Sequence, residues 1–238
     1  MNQENISYIY HKPNIHHLLP RSRGGSEDKI NKVQFEINQH AKFHAFFNHG
    51  IFSEQILQLI KLSDKALDEN IVQELRQLLE KEPEDFYKRQ AIRQEKIPKR
   101  TPNTPHLDKE HLKTLHYILP ISRGWSEHDN NKEMLSVNTQ RNFSEVFGDT
   151  VFPEQILQLL LLSSPALEPV IIKEVLYFME NHKLAEFFKR EVIQQPWKVL
   201  PSIEKNSTQL RFNWNGDIQE NQRTKAKIFE TLEIMSKK

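Results

Sequence analysis

The chain has 238 residues, 37% of them hydrophobic and 27% charged, with a mean hydropathy of −0.68, a size that suits two modest domains better than one large core. Its 33 Lys and Arg against 32 Asp and Glu leave a net charge of +1, which excludes a global pull on nucleic acid and makes any basic surface local. The absence of cysteine excludes a disulfide framework and a Cys-type structural zinc. With no basic-then-apolar leader and no apolar run of spanning length, the expectation is a soluble cytoplasmic protein without a membrane partner.

In chain order, residues 1 to 13 are expected to lead into a first strand, with Ile6, Tyr8 and Tyr10 alternating and Pro13 ending the run. Residues 14 to 44 follow, reading NIHHLLPRSRGGSEDKINKVQFEINQHAKFH. Here His16 to Leu19 reads as one strand and Val33 to Ile37 as another, before a helix over Asn38 to Phe47. That helix puts His40 and His44 on one face. On the strand, neighbouring side chains point to opposite sides, so one of His16 and His17 can ligate while the other faces substrate. Three neutral imidazoles can hold one divalent ion and leave positions open, and a fourth that titrates near neutrality suits a general base. Gly24 and Gly25 supply a loop that tolerates positive φ. His11 and His49 lie outside this spacing and read as solvated or core histidines.

This segment resembles the His-Asn-His (HNH) endonuclease motif, the ββα-metal fold of many nucleases. The resemblance implies His16, His40 and His44 as metal ligands and His17 as the general base, with Asn31 completing the catalytic set as a brace for the loop. It also implies one divalent cofactor, for which imidazole ligands suit Zn, Ni, Co or Mn better than Mg. The partner would be nucleic acid, DNA ahead of RNA, cut to 5′-phosphate and 3′-hydroxyl ends. Arg21 and Arg23, beside the histidine strand, are candidate phosphate contacts.

After Gly50 the pattern turns helical. Ser53 is the expected cap before Ile56, Leu57, Leu59 and Ile60, and Leu67 to Glu82 carries a stripe of Ile71, Val72, Leu75, Leu78 and Leu79. A weaker helix is expected over Glu84 to Lys96. Three prolines between Pro98 and Pro105 then mark a linker.

Beyond the linker the chain repeats. At a shift of 100 residues, 24 of the 52 positions from 16 to 67 are identical, and EQILQL occurs at both 54 and 154. The second copy keeps His116, Pro120, Arg123, Asn131 and the apolar positions. It has Tyr117, Gln140, Ser144 and Trp125 in place of His17, His40, His44 and Gly25, so it reads as a degenerate nuclease unit. Its helices are more apolar and should be buried on more than one side, which predicts an intramolecular pseudo-dimer, with a homodimer as the alternative.

From 196 on, Leu210, Phe212 and Trp214 suggest a strand before an Asn215-Gly216 turn, with a helix over Glu220 to Met235. The expected class is α+β, mostly helical, with tandem ββα-metal units each followed by helices. The expected boundaries are 1–97 for the active copy, 98–105 for the linker, 106–195 for the degenerate copy and 196–238 for the C-terminal elements. The expected function is a metal-dependent HNH endonuclease with one active and one inactive copy, nicking its substrate. The alternatives are a nucleic-acid-binding module with a structural metal, or a protein-interaction scaffold.

Overall fold

The structure, a computed structural model, describes residues 13–93, 112–121, 125–193, 226–227 and 230–231. The strand expected around Tyr8, the proline linker, and the strand and turn near Trp214 lie outside these residues, as do all but four positions of the expected C-terminal helix. The described chain is α+β, with six α-helices and two small antiparallel sheets. No helix among the described residues is long and apolar enough to cross a membrane.

The first run opens with β1 (Pro13–His17) and β2 (Lys32–Glu36), paired so that His16 faces Val33 and His17 faces Lys32. Pro13 is the first residue of β1, an outer position where a missing N–H costs little. Three helices follow: α1 (Ile37–Phe47), α2 (Phe52–Ser63) and α3 (Glu69–Leu79). In the second run, β3 (Lys113–Tyr117), β4 (Lys132–Ser136), α4 (Val137–Phe147), α5 (Phe152–Ser163) and α6 (Pro169–Asn181) come in the same order. There His116 faces Glu133 across the sheet.

Three local expectations are corrected. Helix α2 starts one residue before Ser53, and its first turn is closed by Glu54, whose carboxylate accepts from Ile51 N at 3.1 Å, so Ser53 is not the cap. Gly24 does adopt φ 87°, but Gly25 is needed for space: a Cβ there would lie 1.8 Å from Leu19 O. The stretch from Glu84 is no helix. It folds into 3₁₀ turns at Pro83–Phe86 and Arg89–Ala91, because Tyr87 and Lys88 between them are extended and paired with the second run.

That pairing is reciprocal. Lys88 N donates to Ala166 O (2.8 Å) and Glu168 N to Phe86 O (2.9 Å), while Lys189 N donates to Ala66 O (2.9 Å) and Asp68 N to Phe187 O (3.0 Å). Each run thus satisfies backbone groups of the other, in contacts related by approximate two-fold exchange. Between the runs, α1 packs on α4 through Phe46, Phe47, Phe143 and Phe147, with ring centroids 5.5 to 6.1 Å apart in edge-to-face contacts. Lys42 and Glu145 join the same helices by an ion pair at 3.0 Å.

As expected from its composition, α5 is buried nearly all round, down to Glu154, Gln155 and Gln158. Helix α6 is not: Val170 and Tyr177 remain exposed. Because both runs share one apolar core, the whole described chain should unfold in a single urea transition. Phe147→Ala, which opens a cavity at the seam, should lower its stability by about 3–5 kcal/mol. Two separate transitions, with only one moved by the substitution, would show that the runs are independent.

Candidate metal centre

The site is assembled from β1 and α1. Residues of one parity on the hairpin, Asn14, His16, Val33 and Phe35, face the helix, and β1 brings His16 under the one-turn-spaced pair of His40 and His44. One ring nitrogen from each of the three lies within 4.8 Å of the others. His16 Nδ1 is 3.3 Å from His44 Nε2, which in turn is 2.9 Å from His40 Nε2. Tetrahedral zinc with Zn–N near 2.05 Å implies N–N separations of about 3.3 Å, so small ring movements suffice to convert this cluster into a ligand set.

The surroundings favour neutral, oriented imidazoles. His16 is buried against Phe35 and Phe43, each 5.0 Å away between ring centroids. Burial, and then the neighbouring His44, His40 and His17, hold its pKa well below the usual histidine value. Burial followed by His44 and His17 lowers His40 to about 4. A metal ligand must offer a lone pair, and these shifts keep it available.

The outer nitrogens are also engaged. Nδ1 of His44 contacts the carbonyl of Asn48 at 2.7 Å, so the proton sits there and Nε2 is left facing the cluster. Asn14 Nδ2 lies 2.9 Å from Nδ1 of His40; a carboxamide flipped to present its oxygen there would accept from Nδ1–H and leave Nε2 free to ligate.

His17 lies on the other side of the strand, with its side chain 19% exposed. Its Nε2 is 3.5 Å from Glu27 Oε2, an ion-pair separation longer than a hydrogen bond, and has no closer partner. It is outside the three-nitrogen cluster, yet near enough for its charge to act on His16 and His40.

Asn31 is fully buried and saturated: Oδ1 accepts from Leu19 N (2.7 Å), while Nδ2 donates to Leu19 O and Ser26 O (both 3.0 Å). It braces the loop, and both amide hydrogens and the amide oxygen are used in doing so. Arg23 corrects its expected role. It is 1% exposed and gives both Nη groups to the Glu54 carboxylate at 2.8 and 2.9 Å, tying the loop to α2 instead of meeting phosphate. Arg21 is exposed and pairs with Glu27 through Nε at 2.9 Å.

Sequence reasoning missed four contributors. Asn14 shares the parity of His16 on β1, a signal that was available. Asn48 folds back at φ 54° to deliver its carbonyl, which also brings the His49 ring within 5.3 Å of His44. Glu27 and Lys32 meet beside His17, a convergence that depends on strand register. In the second run, His116 is lowered to about 4 by burial, and no second histidine stands at 140 or 144. Among the described residues only His16, His40 and His44 form a group that could hold a metal.

Comparison of the chain with protein-family models, with curated proteins and with solved structures finds no match.

Two outcomes follow for titration. Calorimetry with Zn²⁺ or Ni²⁺ should find one tight site per chain, lost in His40→Ala or His44→Ala, unchanged in His116→Ala and weakened roughly tenfold in Asn14→Ala. Two equivalent sites would contradict the assignment. For the metal-free protein, the folded pKa values of His16, His40 and His116 lie below the unfolded value near 6.5. The unfolded chain therefore binds more protons between about pH 6.5 and 4, so stability is complete above that window and falls as pH drops through it. The urea midpoint in EDTA should decline from pH 7 to 4.5, with a shallower slope in His116→Leu.

Proposed function

We propose that this chain is a metal-dependent endonuclease of the HNH type, with a first copy that hydrolyses phosphodiester bonds and a second that keeps the framework without the chemistry. The observation that carries the reading is the convergence of His16, His40 and His44 on one point, with His17 on the adjoining strand position. A divalent ion held by the three imidazoles would supply Lewis-acid stabilisation of charge on the phosphate and leaving oxygens. The nitrogen-only donor set fits Zn, Ni, Co or Mn better than Mg.

The remaining work falls to the chain's own residues. His17 accepts a proton from the attacking water at a ring nitrogen, which requires it to be neutral and unligated. Its place outside the cluster meets the second requirement. Asn31 holds the loop that sets the strand on which both His16 and His17 are carried, and Phe35 and Phe43 exclude water from the buried side of His16.

In the second copy Tyr117 replaces the base and Gln140 and Ser144 replace two ligands, so no equivalent site is available there. HNH enzymes that cut both strands commonly do so with two sites related by a two-fold axis, and the packing of α1 on α4 supports reading the two runs as such a pair within one chain, one member inactive. The substrate is accordingly duplex DNA, and the product a nick.

Supercoiled plasmid tests this reading. With Mn²⁺, Ni²⁺ or Zn²⁺ the protein should convert it to open circles, with linear DNA arising only from later independent nicks; EDTA should stop the reaction. His17→Ala should reduce cleavage by at least about 10²-fold while leaving the metal titration unchanged. An active His17→Ala protein would remove the base assignment, and direct linearisation by a protein monomeric on DNA would remove the single-site account.

A further inference from the structure

Arg21, Lys32 and His17 converge on one carboxylate beside the candidate metal centre. Arg21 Nε is 2.9 Å from Glu27 Oε1, and Lys32 Nζ is 2.9 Å and His17 Nε2 3.5 Å from Glu27 Oε2. His17 and Lys32 are register partners at the end of the β1–β2 hairpin, so their meeting is imposed by the sheet. Glu27 itself is half exposed.

We infer that the Glu27 carboxylate stands, in the free protein, where a backbone phosphate of the nucleic acid binds, and that Arg21 and Lys32, beside His17, form the anion site it occupies. The inference rests on the nuclease reading for the identity of the anion. A carboxylate and a phosphodiester each carry one negative charge and present two terminal oxygens, so the same donors serve both. Arg21 meets Glu27 through Nε, and a guanidinium can make a bidentate contact with phosphate.

The exchange asks little of the fold. The backbone on either side of Glu27 is pinned: Ser26 N donates to Ala91 O (2.9 Å), Ser26 Oγ to Gln90 O (2.5 Å), Asn31 Nδ2 to Ser26 O (3.0 Å), and Asp28 Oδ1 accepts from Ile30 N (3.0 Å). Only the exposed Glu27 side chain has to rotate away, and exposed ion pairs of this kind are weak. Until then it holds Arg21 and Lys32 in position and sets a threshold that weak anions must overcome.

The second run lacks this set. Ile121 stands in place of Arg21, Tyr117 in place of His17, and Lys132 pairs with Asp129 at 3.0 Å. Phosphate recognition and cleavage therefore belong to the same side of the molecule.

The test is binding without cleavage. Fluorescence anisotropy with a labelled DNA duplex, in EDTA and about 50 mM salt, where phosphate contacts are strongest, compares wild type with Glu27→Gln. Glu69→Gln is the control, removing the same charge from an exposed position outside the site. Glu27→Gln should bind about three- to tenfold more tightly than Glu69→Gln, since Arg21 and Lys32 no longer have an internal partner. In a background of Arg21→Gln with Lys32→Gln that gain should vanish. A Glu27→Gln protein no tighter than the control, a gain that survives loss of both cations, or no binding by any variant would each overturn the proposal. A gain found in a protein that cleaves no plasmid with any metal would sustain the anion site and remove the nuclease reading alone.

Discussion

The carboxamide of Asn31 is the contact on which the first run depends. β1 and β2 are separated by a loop that cannot complete a sheet ladder of its own, and Asn31 supplies the missing groups by bonding Leu19 N, Leu19 O and Ser26 O at once. Leu18 N donating to Asn31 O at 2.9 Å carries the hairpin pattern up to it. Asn131 makes the same three bonds, to Leu119 N, Leu119 O and Ser126 O at 2.7 to 3.0 Å. The brace is thus kept where the histidines at 117, 140 and 144 are absent. Its role is therefore framework, and through framework it fixes the strand that presents His16 and His17.

The second run bears on the site from behind. Helix α1 has two working faces: His40 and His44 meet His16, while Phe46 and Phe47 meet Phe143 and Phe147. Gln58 from α2 also donates to the carbonyl of Phe46 at 2.6 Å. A helix held by these contacts cannot shift its ligand pair easily, and tight placement of ligands is what a metal site requires. A run without the three-histidine group can still contribute rigidity, which accounts for apolar positions that match those of the first run.

Much of this was legible in the sequence because the signals were local or periodic. The His-x-x-x-His spacing, the alternation of Val33 and Phe35 and the apolar stripe from Ile71 to Leu79 each encode one element, and the elements appear within a few residues of where periodicity put them. Long-range interactions erased the other signals. Nothing near Arg23 says that its partner is Glu54, 31 residues on, so a loop arginine that looked free for phosphate is buried. The charged stretch after Glu84 has helical composition, yet Tyr87 and Lys88 extend because Leu167 and Ala166 offer backbone partners. Cross-strand register likewise hid the meeting of Lys32 with His17 at Glu27.

The central claim is that His16, His40 and His44 bind one divalent ion together. Anomalous diffraction from crystals grown with Zn²⁺, recorded on both sides of the zinc absorption edge, tests it most directly. The account predicts one strong peak about 2.0–2.1 Å from a ring nitrogen of each of the three histidines, with none near His116. A peak elsewhere, or one that excludes His16, would contradict it.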